Sequence, residues 1–244
     1  MDKLARTVNL RQTHHLKRPI AFTSNIGTTY HKALGDTFYA PILGQFKTQS
    51  NISSVNYMPN VVSPMATIEE RGKAMAQKLD AMAHKYNEKV HLVAYSFAGA
   101  DARAAISMFD AHEFVSSLTT ICTPHQGLKL VDQSVRFPDQ YGKLEYMEHA
   151  FDILGMSKRN VEEFASDNMQ DFNEVALDAE SVGYYSFGSK KKELEISEVL
   201  RPAYKIITDF AIETECDGMV DVKSTKWGTY ILTFNQDHFE IAGM

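Results

Sequence analysis

The stretch KVHLVAYSFAGADARAAI, Lys89 to Ile106, decides the fold. Its first half is apolar and β-branched, the pattern of a strand. At Ser96 the pattern breaks, and Phe97-Ala98-Gly99-Ala100 opens a run of small residues that reads as a slim helix. A chain that leaves a strand at Tyr95 and enters a helix at Phe97 must reverse sharply, and Gly, Asn or Asp would turn there more easily than Ser. A nucleophile elbow, usually written G-x-S-x-G, explains the choice. Its strained turn lifts the serine oxygen above the sheet and turns the next backbone N–H toward an oxyanion. Here Ala94 and Ala98 stand at the two glycine positions. A serine that only caps a helix is the competing reading, so the elbow needs support from the rest of the chain.

Working outward, PIAFT from Pro19, SSVNYMP ending at Pro59, SSLTTIC ending at Cys122 and YKIITDF ending at Phe210 are the other expected strands, with a strand-like TYILTF near the end. Between the second strand and the elbow strand, Ile68, Gly72, Met75, Leu79, Met82 and Tyr86 repeat at alternating spacings of four and three. They form one helical stripe that should cover the sheet. Thr67 and Glu70 fit a capping box at its start. Strands alternating with helices predict an α/β fold with a mainly parallel central sheet flanked by helices, in a single domain over residues 1–244. Residues 135–180 are Met- and aromatic-rich, with helical pieces and no strand pattern, and read as an insertion over the sheet, a lid or cap.

The chain of 244 residues, 44% hydrophobic and 23% charged, is long enough to bury one sizeable core. A net charge of -6 gives no basic footprint, so nucleic acid is not an expected partner; Lys17-Arg18 and Lys190-Lys191-Lys192 read as solvated loops. No apolar run approaches the ~20 residues of a transmembrane helix, and the start lacks the apolar core of a secretory signal. The expected setting is intracellular, cytoplasmic by default, with the acid-poor start leaving a mitochondrial presequence as the alternative. Cys122 and Cys216 form neither a disulfide framework nor a paired metal signature, and read as reduced thiols.

A serine nucleophile needs a base, and the base an orienting acid. In the elbow fold they follow the serine as acid, then histidine. Downstream of Ser96 lie His112, His125, His149 and His238, and His238 alone follows a final strand pattern. Asp217, beside Gly218 in a turn that could aim its carboxylate back, is the matching acid, with Asp221 and Asp237 as competitors.

Three motifs in order, AYSFAGADAR, TTICTPHQG and ECDGMVDVKSTKWG with DHFEI, resemble the triacylglycerol lipases of the α/β-hydrolase superfamily, the bacterial true lipases and their fungal, partly mitochondrial relatives. GDTFYAPI and NMQDFN add to the resemblance, which runs from about Pro19 to Gly243. It implies the α/β-hydrolase fold and a triad of Ser96, Asp217 and His238 that cleaves carboxylic esters of acylglycerol-like lipids through an acyl-enzyme. It also implies a structural role for His125 and an oxyanion hole from the backbone amides of Ile26 and Phe97.

Two departures bear on activity. Ser24-Asn25 stands where the family carries His-Gly in its oxyanion loop, and losing that glycine could alter the loop. At the family's calcium positions this chain has Arg201 and Glu240, and an arginine opposes a hard cation, so no metal and no cofactor are expected. The expected partner is a lipid or ester substrate, with lid residues Phe137, Tyr141, Leu144, Tyr146, Met147, Phe151, Ile153, Leu154 and Met156 contacting lipid or simply filling core. A hydrolase fold that only binds a lipid or partner, and an acyltransferase, are the rival functions.

Overall fold

The computed structural model describes residues 18–24, 43–44, 54–58, 66–136, 158–209 and 214–243. Six strands, β1 Ile20–Thr23, β2 Val55–Tyr57, β3 Val90–Tyr95, β4 Val115–Ile121, β5 Gly183–Ser189 and β6 Thr229–Phe234, pair in the order β2-β1-β3-β4-β5-β6. All five pairings are parallel, so the C-terminal ends of the strands share one edge. In open parallel sheets, sites are built at that edge.

The alternation of side chains along the central strands divides the core. Ala21, Leu92, Ala94 and Leu118 face a cluster formed with Met75, Leu79, Ala102, Ala105 and Ile106. Ile20, Phe22, Tyr95 and Cys122 lie in a separate cluster with Ala242. Successive residues of a strand point to opposite faces, which is why Ala94 and Tyr95 fall in different clusters.

Helix α1, Ile68–Tyr86, forms as its sequence predicts. The Thr67 hydroxyl accepts from the Glu70 amide, the Glu70 carboxylate accepts from the Thr67 amide, and Ile68, Gly72, Met75 and Leu79 are buried. α1 meets the elbow helix α2, Ala98–Met108, so closely that a Cβ on Gly72 would lie 2.7 Å from the Ala104 methyl. Beside this contact Arg71 Nε reaches both oxygens of buried Asp101, at 3.0 and 3.1 Å, which satisfies the two charges against each other.

The remaining helices are α3 Lys129–Arg136, α4 Lys158–Glu162, α5 Ser166–Val175 and α6 Arg201–Thr208. α6 corrects the strand expected over YKIITDF. Leu200, Ala203 and Ile207 are buried at spacings of three and four, and Pro202 sits in the first turn, so the helical period overrides the β-branched run. Strand β5, GYYSFGS, has no such run and escapes the pattern. Its small residues are required by packing: a Cβ on Gly188 would meet Thr225 Oγ1 and Tyr230 Oη at 2.6 Å, and Ser186 Oγ both donates to Trp227 O and accepts from Trp227 N. The proposed lid residues Phe137 to Met156 and the GDTFYAPI segment lie outside the described residues, and among the described part of 158–180 the regular structure is helical.

The close approach that the elbow needs is supplied by Gly99 rather than by residues 94 or 98. A Cβ there would lie 2.1 Å from Thr123 Oγ1 and 2.6 Å from its Cγ2. Gly99→Ala is predicted to destabilise the fold by about 1–3 kcal/mol, because Thr123 must be displaced. Urea unfolding measures this, and an unchanged midpoint would refute the packing argument.

Candidate active site

Ser96 is the first residue past β3. Its φ of 56° is left-handed, a conformation that a non-glycine residue adopts only when its surroundings enforce it. Three bonds do so. The Ser96 amide donates to Ile121 O at 2.8 Å, Thr123 Oγ1 donates to Ser96 O at 2.7 Å, and the Gly99 amide donates to the same oxygen at 3.1 Å. The bend turns the hydroxyl toward the sheet's C-terminal edge, and Ser96 remains 6% exposed.

His238 lies in the loop after β6, fully buried. Its Nε2 is 2.9 Å from Ser96 Oγ, and its Nδ1 is 2.7 Å from Asp217 Oδ2. A carboxylate only accepts, so Nδ1 carries the proton and Nε2 is left free to accept from the serine. The second Asp217 oxygen, Oδ1, accepts from the amides of Met219 at 2.9 Å and Val220 at 2.8 Å. Gly218, at φ 97°, makes that tight turn. His238 and Asp217 are also joined through their backbones, since the His238 amide donates to Asp217 O at 2.9 Å. Tyr95, the residue before the serine, donates through its hydroxyl to His238 O, and its ring lies 5.0 Å from the imidazole.

The structure thus brings Ser96, Asp217 and His238 together. The acid does not follow a strand ending at Phe210; its loop instead returns to the end of β5, where the Lys191 amide donates to Cys216 O at 3.0 Å. The competing acids are engaged elsewhere. Asp221 accepts from the Ser224 amide and lies 3.6 Å from Lys129 Nζ. Asp237 caps the turn after it, accepting from the amides of Phe239, Glu240 and Ser197. That cap, with Lys191 paired to Glu240, fixes the His238 loop. Arg201, at the other position where the resemblance places calcium ligands, lies 3.7 Å from Glu198.

Of the two expected oxyanion donors, Phe97 begins the turn into α2, and its amide bonds to no acceptor among the described residues. Ile26 lies outside the described residues. Ser24 is buried at the end of β1 with its hydroxyl 2.9 Å from Tyr57 Oη.

His125 is buried away from the serine, its Nε2 2.9 Å from Thr120 Oγ1 and its ring stacked 5.4 Å from Trp227. Arg103 lies on the Trp227 ring at 3.5 Å and donates to Asn173 and to Ala176 O. The alternation of Arg103, Trp227 and His125 cements α2, α5 and the loop after β4. His112 sits in a 3-10 turn with its carbonyl accepting from Lys89, and His149 lies outside the described residues. Sequence reasoning missed two neighbours of Asp217 and His238, Tyr95 and Cys122, because a tyrosine or cysteine at a strand end carries no motif.

The strand order, the left-handed serine between β3 and α2, and the acid and base on later loops define the α/β-hydrolase fold. The chain has the α/β-hydrolase fold, and its sequence is similar to that of a lipase. It is similar to triacylglycerol lipase 2 of Saccharomyces cerevisiae, with 28% identity over 187 residues, and this match spans 74% of the chain but about 55% of the yeast protein. Among solved structures it is similar to the mature Bacillus licheniformis lipase BlEst2, at TM-score 0.70 and 22% identity over 92% of this chain and 86% of that one. Lipase 1 from Pelosinus fermentans aligns at TM-score 0.63 and 14% identity, over 95% of this chain and 94% of that one. No protein-family model matches the chain.

The buried His125 makes a prediction about pH. Burial first, and then the charge of Arg103, hold it well below its ordinary 6.5, so the folded chain keeps it neutral. The unfolded chain protonates it near 6.5. Its contribution is therefore fully present above that pH and is lost as pH falls from there toward the folded value. Urea midpoints measured from pH 7.5 to 5 should fall more steeply for wild type than for His125→Gln; parallel curves would count against a neutral buried imidazole.

Proposed function

We propose that the chain is a serine hydrolase of carboxylic esters, with Ser96 as nucleophile, His238 as base and Asp217 as orienting acid, and acylglycerol-like lipids as its substrate class. The observation that carries this reading is the continuous chain of bonds from Ser96 Oγ to His238 Nε2 and from Nδ1 to Asp217 Oδ2, at 2.9 and 2.7 Å. Ser96 Oγ attacks the ester carbonyl as its proton passes to Nε2, and the carboxylate meets the imidazolium that forms. The imidazolium then gives the proton to the departing alcohol. Water, activated by the same nitrogen, cleaves the acyl-enzyme and restores the hydroxyl. The Phe97 amide, already turned by the elbow, serves as one oxyanion donor, with Ile26 as the second.

The lipid class is supported by the name of the yeast relative and by the apolar residues between Phe137 and Met156 in the sequence. The described residues beside the elbow are also apolar: Phe97, Leu128, Val131, Val161, Phe164 and Met169 pack together.

Fluorophosphonate labelling tests the reading. Wild type should label at one serine, Ser96→Ala should not label, and His238→Ala should label at least about a thousandfold more slowly. Undiminished labelling of Ser96→Ala excludes this nucleophile. Triacylglycerol emulsions should turn over faster than a dissolved short-chain ester, and a competing alcohol that captures most of the acyl group would redefine the enzyme as a transferase.

A further inference from the structure

Cys122 occupies the place on β4 that Ser96 occupies on the neighbouring β3. Each is the first residue past its strand, and each is left-handed, Ser96 at φ 56° and Cys122 at φ 51°. Glycine adopts that conformation without strain, whereas a side chain there is opposed by its own backbone. The main chain at this corner therefore gives no reason for a thiol. The side chain does. Cys122 is wholly buried, and its Sγ, a carboxylate oxygen of Asp217 and a ring nitrogen of His238 all lie within 4.8 Å of one another. The thiol therefore lies beside the Asp217 carboxylate.

We infer that Cys122 is a positioning residue for the acid of the proposed triad: its S–H donates to the Asp217 carboxylate and fixes the plane in which Oδ2 meets His238 Nδ1. The inference rests on the proposed serine hydrolase. Asp217 is held by the Met219 and Val220 amides and the His238 ring, and the adjacent thiol of Cys122 would be a further donor. The first two come from its own turn and cannot stop the whole turn from tilting. Cys122 comes from a different strand, whose amide is tied to Phe187 O at 2.9 Å, so it references the acid to the sheet that carries the serine. Burial first, and then the charge of Asp217, push the thiol's pKa well above its usual value. It therefore remains a protonated donor and a poor nucleophile. Read as metal ligands, the same three groups would have to break the 2.7 Å bond between His238 and Asp217 to admit a cation, so the hydrogen-bond chain is the better account.

The donor also bears on basicity. A carboxylate that has lost one donor holds the imidazolium more tightly, so removing the thiol moves the acid limb of the pH profile upward, while the loosened acid lowers the limiting rate. A residue that merely fills space would leave the limb in place.

The test compares wild type with Cys122→Ala, Cys122→Gly and Cys122→Ser. Its readouts are the pH dependence of Ser96 labelling by a fluorophosphonate and the far-downfield proton resonance of the His238–Asp217 bond. Ala and Gly should slow limiting labelling roughly three- to tenfold, raise the pH of half-maximal rate and shift the resonance. Ser should return all three toward wild type. Cys122→Gly relieves the left-handed strain, so its Tm should not fall below that of Cys122→Ala, which separates a lost donor from a lost fold. Identical pH profiles and resonances for wild type, Ala and Gly overturn the inference. A resonance that moves in Ala and returns in Ser, in a protein whose Ser96 never labels, supports the hydrogen bond and defeats the hydrolase reading.

Discussion

The left-handed backbone at Ser96 is the constraint on which the rest of the site depends. A residue with a Cβ holds that conformation against about 1–2 kcal/mol of steric opposition, so the surroundings must fix both sides of the peptide. They do so by binding the Ser96 amide to Ile121 O and the Ser96 carbonyl to Thr123 Oγ1. Both partners belong to the end of β4 and the loop after it. The serine is therefore clamped to the neighbouring strand as well as being the end of its own. Thr123 can reach in only because Gly99 has no side chain, and the alanines at 94 and 98 are tolerated because the tight contact falls one residue further on.

From that clamp the other members follow by topology. Parallel strands put every C-terminal end on one edge, and the order β3-β4-β5-β6 places the loops carrying Ser96, Cys122, Asp217 and His238 along it in sequence order. The acid arrives by a detour through α6, but its loop is tied back to the end of β5 through Lys191 and Cys216. The histidine loop is anchored by the Asp237 cap and by Tyr95. Tyr95 makes the coupling mutual, because the residue that ends the serine's strand also bonds the backbone of the base.

Much of this was legible in the sequence where one local signal dominated. The capping box at Thr67, the stripe over α1 and the apolar run into the elbow each reflect short-range physics, and the grouping of Ser96, Asp217 and His238 was expected from order along the chain together with the family resemblance. What escaped depends on tertiary context. YKIITDF has the β-branched content of a strand, yet Leu200, Ala203 and Ile207 share one helical face only once the core beside α2 exists. GYYSFGS lacks a β-branched run, and its Ser186 and Gly188 stay small because Thr225, Tyr230 and Trp227 fill the space where larger side chains would go. Cys122 was visible as a thiol at a strand end, but nothing in its neighbours along the chain points to a carboxylate 95 residues later.

The charge arrangement around Asp217 has its own logic. The carboxylate is fully buried, and among the described residues its only ion-pair partner is His238. The buried arginines are used elsewhere, Arg71 on Asp101 and Arg103 on the Trp227 ring. A fixed cation beside Asp217 would satisfy the carboxylate but would also repel the imidazolium that the proposed catalysis creates a few ångströms away. Neutral donors avoid that conflict. Two amides, with the thiol inferred above, stabilise the negative charge without adding a positive one, so no fixed cation competes with a protonated His238 for the carboxylate.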